Sequence, residues 1–205
     1  MNKNILTFDE WAILNKDEGM EKGHYASVKH MTREIFNYYQ KHNKKYSLLD
    51  LGCGNGWVVR KFKEHSLCSM AHGIDGAPNM IKKAKKLDKN GTYFNENIEG
   101  WDNKLHYDVV FSMETLYYFK SPLDIIKNIY TNIINENGML IIGIDHYSEN
   151  TESLDWSEKF NLEITTLSSN EWNNLFKQAG FKDIKSNQVE SKGEWAGTLI
   201  ISGIK

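Results

Sequence analysis

The chain has 205 residues, 40% hydrophobic and 25% charged, with two prolines, which excludes a disordered or fibrous protein and allows a sizeable core. A formal net charge of −2 supplies no global positive field for nucleic acid, and two cysteines exclude a disulfide framework. Met1 to Leu14 is interrupted by Asn2, Lys3, Asn4, Asp9 and Glu10, so it reads as neither a signal peptide nor a membrane span; a cytoplasmic protein is expected.

In chain order, Met1 to Gly23 reads as an irregular or helical segment. Its glycines, Gly19 and Gly23, flank a short polar piece, so it is either a lid over a site or a plain lead-in to the first helix. From His24 to Gln40, Tyr25, Val28, Met31, Ile35, Phe36 and Tyr39 recur three or four apart and predict an amphipathic helix. Strands then alternate with helices: strand Tyr46–Leu51, helix Trp57–His65, strand Met70–Ile74, helix Asn79–Leu87, strand Thr92–Asn95, strand Tyr107–Ser112, helix Pro122–Ile134 and strand Met139–Ile144. That alternation predicts crossovers and a parallel sheet. A polar segment, His146 to Thr166, leads to a helix at Ser169–Ala179 capped by Gly180, then strands Phe181–Val189 and Gly197–Ile204, an antiparallel closing pair.

The expected architecture is α/β: a Rossmann-like, doubly wound, mostly parallel sheet with an antiparallel C-terminal strand pair. Nothing marks a second domain, so residues 1–205 read as one unit: lid and helix (1–45), cofactor-binding core (46–145), and substrate-side segment with closing strands (146–205). The lysines at 82, 83, 85 and 86 alternate with Ile81, Ala84 and Leu87 as on the solvated face of a helix, which favours no nucleic-acid partner. Trp156, Trp172 and Trp195 read as core or edge packing for the same reason, since no basic groove accompanies them. No metal-ligand spacing is present, and a monomer and a homodimer are both compatible with the sequence.

The most informative stretch is Leu48-Leu49-Asp50-Leu51-Gly52-Cys53-Gly54-Asn55-Gly56-Trp57, an apolar strand running into three alternating glycines and a helix. In an open α/β sheet, ligands bind at the carboxyl end of such a strand, and glycines let backbone approach them. Trp57 stands where a dinucleotide fingerprint needs its third glycine, which weakens a nicotinamide cofactor. A zwitterionic amino-acid cofactor suits the loop better, its ammonium served by Asp50 or by waters on it; Asp50 could instead only orient the loop. Asp75, at the end of the next strand and roughly 20 residues on, is spaced to hold a ribose; as a mere helix cap it would touch none.

Leu48 to Trp57, Gly73 to Ala84 and Tyr107 to Phe119, together with Asn137-Gly138-Met139-Leu140, resemble the successive motifs of class I S-adenosylmethionine-dependent methyltransferases. The resemblance implies that Gly52, Gly54 and Gly56 contact the methionine portion and Asp75 the ribose. It puts Asn97-Ile98 at the adenine, where the family usually has an acid, with Glu96 as the rival. Cys53, Gly76, Met80 and Ser112 complete the expected cofactor wall.

Acceptor residues in this topology come from the N-terminal segment and the loops after strands four and five. His24, Tyr25, Glu114, Tyr117, Tyr118 and Tyr147 are the candidates there. His146 is the candidate general base, needed only if the nucleophile arrives protonated; the alternative is a loop histidine bonded to backbone or water. No Asn-Pro-Pro-Tyr follows strand four and no Pro-Cys occurs, so the amine-directed and cytosine-ring DNA methylases are not matched. The expected activity is methyl transfer to a small-molecule oxygen, nitrogen or carbon, with a nicotinamide oxidoreductase or a non-catalytic cofactor-binding module as the alternatives.

Overall fold

A computed structural model describes residues 2–102 and 104–205. Seven strands form one sheet in the order β3-β2-β1-β4-β5-β7-β6. They are β1 (Tyr46–Leu51), β2 (Cys68–Asp75), β3 (Thr92–Asn95), β4 (Tyr107–Met113), β5 (Ile134–Ile144), β6 (Lys182–Val189) and β7 (Thr198–Ile204). The first five pair in parallel, and β7 inserts antiparallel between β5 and β6. The expected mixed sheet is thus present.

The helices are α1 (Lys3–Ile13), α2 (Glu18–Lys41), α3 (Trp57–Lys63), α4 (Pro78–Leu87), α5 (Pro122–Asn128), α6 (Trp156–Lys159) and α7 (Ser169–Ala179). Alternation along the central strands explains why both sheet faces are covered. Leu48, Val109, Phe111 and Ile141 pack with Met31 and Ile35 of α2 and Phe62 of α3, while Leu49, Val110, Leu140 and Ile142 pack with Ile126 of α5 and Phe176 of α7.

The stretch before α2, expected to be irregular or helical, holds a helix, α1, capped by the Asn2 side chain accepting from the Asn4 N–H. Two local expectations are corrected. The predicted helix Pro122–Ile134 ends at Asn128 and widens into a π-helical turn over Ile129–Ile133. Within the polar segment, α6 turns Trp156 inward.

The sheet order reverses direction at β1, whose neighbours are β2 and β4. Ligands bind outside the carboxyl ends of strands at such a switch point. Here α1 lies across those ends, fixed on one flank by Asp9, which accepts from the Asn79 backbone N–H (2.6 Å) and side-chain amide (2.8 Å) at the start of α4.

Candidate active site

A cavity of about 330 Å³ opens at the carboxyl ends of β1, β2 and β4. Its cofactor-side wall is the glycine loop between β1 and α3. Gly52, Gly54 and Gly56 all have positive φ, at 80°, 51° and 75°, a backbone region that disfavours a Cβ. Their neighbours differ. A Cβ on Gly52 would sit 2.0 Å from Thr115 Oγ1, and one on Gly56 would strike the Tyr93 ring at 2.5 Å, whereas one on Gly54 meets nothing nearer than Met80 Sδ at 3.9 Å. Gly52 and Gly54 border the cavity; Gly56 belongs to the packing against Tyr93 instead.

Asp75 ends β2 with its carboxylate fixed by two backbone N–H donors, Gly54 (2.9 Å) and Ala77 (2.8 Å). Burial still pushes its pKa above the ordinary carboxylate range, with the two N–H bonds acting in the opposite direction. Asp50 is fully enclosed at the base of the loop, and burial followed by the neighbouring Asp75 charge drives its pKa well up. Among the described residues its Oδ2 has no hydrogen-bond partner, nor does Oδ1 of Asn55; both atoms are buried and both residues border the cavity. Asn55 is positioned by its Nδ2, which donates to Asp17 Oδ2 at 2.9 Å, and Asp17 in turn accepts from Lys83 Nζ at 2.6 Å.

Two buried oxygens without donors are costly as they stand and are offset by a ligand that brings N–H groups. An α-ammonium does so, and the site therefore fits the amino-acid end of S-adenosylmethionine. The carboxylates of Asp50, Asp75 and Glu114 face the cavity, with Lys16 the one lysine or arginine on the described wall. Such a balance favours a sulfonium cofactor and opposes a diphosphate.

Of the other expected cofactor residues, Cys53, Gly76, Met80, Asn97 and Ile98 border the cavity, and Glu96, the rival of Asn97, does not. A Cβ on Gly76 would be 2.6 Å from Ile5 Cδ1, so α1 rests directly on the turn after β2. Ser112 does not reach the cavity, because its hydroxyl turns sideways along the sheet to donate to the Leu51 carbonyl at 2.9 Å.

On the acceptor side, His24, Glu114, Tyr117 and Tyr118 border the cavity. Glu114 has a φ of 57°, a strained value for a residue with a side chain. Its carboxylate accepts from Tyr117 OH (2.6 Å) and from the Asp145 N–H (2.5 Å), and its pKa is driven well up by burial and then by the Asp145 charge. Behind it, Asp145 accepts from Thr198 Oγ1 at 2.6 Å and stands 3.6 Å from His24 Nδ1.

Three expected acceptor-side residues are placed elsewhere. Tyr25 faces solvent beneath Lys61, and Tyr147 is buried with its hydroxyl donating to the Gly197 carbonyl at 3.0 Å. His146 sits one layer behind the wall, with Nδ1 donating to the Ser153 carbonyl (2.9 Å) and Nε2 against Thr166 Oγ1 (2.7 Å). Both ring nitrogens are engaged, which leaves none to face an acceptor.

Several wall residues were not anticipated: Ile5, Phe8 and Trp11 of α1, and Trp156 and Phe160 in and after α6; Thr115, in the stretch after β4, also lines the wall. Trp172 is core, as expected, but Trp156 is a cavity residue backed by Trp195 at 6.2 Å between ring centroids.

Residues 23–186 match the family model described as a methyltransferase domain. This chain belongs to the class I S-adenosylmethionine-dependent methyltransferases. S-adenosylmethionine is accordingly its cofactor, and the nicotinamide alternative is set aside. Among relatives, this methyltransferase is 26% identical over 137 residues to malonyl-[acyl-carrier protein] O-methyltransferase 1 of Ilyobacter polytropus, a match covering 63% of this chain and 51% of that protein. It thus spans about half the length of the curated relatives it matches. Among solved structures, it superposes with a TM-score of 0.80 and 23% identity on a chain of the complex between the Haloferax volcanii Trm112 methyltransferase activator and a protein described as a putative methyltransferase, with 96% of each chain covered. A Thermotoga maritima S-adenosylmethionine-dependent methyltransferase, described as a possible histamine N-methyltransferase, aligns with a TM-score of 0.70 at 20% identity, covering 97% of this chain and 98% of that one.

Proposed function

We propose that this methyltransferase passes the methyl group of S-adenosylmethionine to a small-molecule acceptor held between α1 and the segments that follow β4 and β5. The observation that carries the reading is the juxtaposition, in one cavity, of the donor-less Asp50 and Asn55 oxygens at the glycine loop with an aromatic, acid-bearing wall opposite.

Asp50 and Asn55 hold the ammonium, Asp75 accepts from the ribose hydroxyls, and Met80, Asn97 and Ile98 flank the adenine. When bound, the cofactor supplies a methyl group on a positively charged sulfur. The protein's own work is then alignment and exclusion of water. In this reading α1 is the lid: Ile5 presses on the cofactor turn at Gly76 while Phe8 and Trp11 face the acceptor side. Glu114 replaces His146 as the group placed to take a proton.

Calorimetric titration with S-adenosylhomocysteine, followed by single-turnover assays with radiolabelled S-adenosylmethionine and an acceptor panel, tests the proposal. Binding with transfer to a metabolite supports it. Binding without transfer to any acceptor would favour the non-catalytic module, and absence of binding would remove the reading.

A further inference from the structure

The acceptor side of the cavity is bounded by a circuit of ring contacts that closes on itself. Tyr117 meets Tyr118 at 4.3 Å between centroids, Tyr118 meets Phe8 at 5.0 Å, and Phe8 meets Trp11 at 5.2 Å. Trp11 meets Phe160 at 5.7 Å and Phe160 meets Trp156 at 6.2 Å; His146 closes the loop at 6.2 Å to Trp156 and 5.6 Å to Tyr117. Six of the seven rings border the cavity, with His146 behind them. The rings come from α1, the turns after β4 and β5 and the region of α6, so the circuit exists only in the assembled tertiary structure.

One carboxylate is built into this circuit. Glu114 is joined to it through Tyr117 OH at 2.6 Å, and Tyr117 OH lies 3.1 Å from Tyr118 OH. No lysine, arginine or histidine forms an ion pair with Glu114 among the described residues, and the second acid, Asp145, lies just behind, its backbone N–H on the Glu114 carboxylate. Aromatic faces attract cations, and a buried carboxylate without a counter-charge is stabilised by one. A neutral hydroxyl brings no counter-charge, and an acidic acceptor sets another carboxyl beside Glu114, while Asp145 behind it already has His24 Nδ1 at 3.6 Å.

We propose that the acceptor is an organic amine, bound as its ammonium against these rings and paired with Glu114. The proposal rests on the methyltransferase reading above and narrows it to nitrogen. Glu114 is also the group placed to receive the proton that an ammonium must release before its nitrogen pair is free, the N–H bond breaking and an O–H bond forming on the carboxyl.

The test uses the full chain saturated with S-adenosylhomocysteine, whose own binding isotherm is recorded first. Three matched probe sets are then titrated by calorimetry: arylalkyl and alkyl amines, the corresponding alcohols, and the corresponding carboxylic acids. The expected result is that at least one amine binds about tenfold or more tightly than its alcohol and acid counterparts, and that Glu114→Gln abolishes the preference while S-adenosylhomocysteine affinity stays within about twofold. Should Glu114→Gln fail to fold, Phe8→Leu serves: loss of one ring face should weaken the amine about threefold and the alcohol less. An alcohol or acid bound as tightly as its amine, no amine bound at millimolar concentration, or an undiminished preference in the variants overturns the proposal. If S-adenosylhomocysteine itself does not bind, the underlying methyltransferase reading fails first and takes the amine with it, which distinguishes the two failures.

Discussion

The carboxamide of Asn4 pairs with the backbone of Glu163 in both directions: Nδ2 donates to the Glu163 carbonyl at 2.8 Å, and Oδ1 accepts from the Glu163 N–H at 2.8 Å. The same Nδ2 also reaches the Tyr118 carbonyl at 3.2 Å. One side chain thus latches α1 to the acceptor-side wall, opposite the Asp9 contact with α4.

Asn4→Ala should therefore loosen α1 at one flank. Loss of these largely buried bonds is worth about 1–3 kcal/mol. The expected result is a lower melting temperature and S-adenosylhomocysteine release faster by roughly an order of magnitude, read by stopped-flow displacement. An unchanged release rate would show that α1 does not gate the site.

Asp50→Asn separates fold from ligand. The buried carboxyl carries an unpartnered oxygen, so a neutral isostere should leave the ligand-free protein as stable or raise its melting temperature by a few degrees, about 1 kcal/mol at this size. The same change should weaken S-adenosylhomocysteine by about tenfold or more, the scale of a charged hydrogen bond. Calorimetry showing equal affinity would remove Asp50 from the ammonium site.

The three loop glycines should fail in different ways. Gly54→Ala adds a methyl group with free space around it and should cost only about 1 kcal/mol of backbone strain while reducing cofactor affinity. Gly52→Ala meets the Thr115 hydroxyl and should cost about 2–4 kcal/mol, in part recovered by Thr115→Ala in a double-mutant cycle. Gly56→Ala should lower stability through Tyr93. Urea melts with and without S-adenosylhomocysteine distinguish the three.

Burial lowers the pKa of His146 below its ordinary value, the Ser153 carbonyl bond acting in the opposite sense. The unfolded chain then binds that proton more readily, so the stability this residue contributes is present above its unfolded pKa and is lost as pH falls through the folded one. Wild type should lose stability relative to His146→Gln between pH 7 and about pH 5. A pH-independent difference between the two in chemical denaturation would contradict this.

The sequence is most informative where local chemistry decides structure. The apolar run Leu48–Leu51, the alternating glycines and Asp75 reveal a strand, a turn and an acid at the strand's carboxyl end because each is set by its immediate neighbours. Position after a strand was a poorer guide to position around the cavity. Ser112 lies near the end of β4 and Tyr147 just beyond β5, yet the Ser112 hydroxyl is taken up by the Leu51 carbonyl of the neighbouring strand and the Tyr147 hydroxyl by the Gly197 carbonyl. A lid was one of two readings open for the N-terminal segment, but the contacts of α1 were not legible, since Ile5, Phe8 and Trp11 have no partners until the chain docks them on Gly76, Tyr118 and Phe160. Trp156 was hidden by the polar residues around it.

The closed circuit of rings also has a bearing on how such a protein diversifies. Its members sit on α1, on the turns after β4 and β5 and around α6, whereas Asp50, Gly54 and Asp75 sit on the sheet and its first turns. Exchanging Phe8, Trp11, Trp156 or Phe160 remodels one end of the cavity and leaves the carboxylates proposed to hold the methyl donor untouched. Selection can thus retune what is methylated in peripheral segments while the central strands keep the donor site constant.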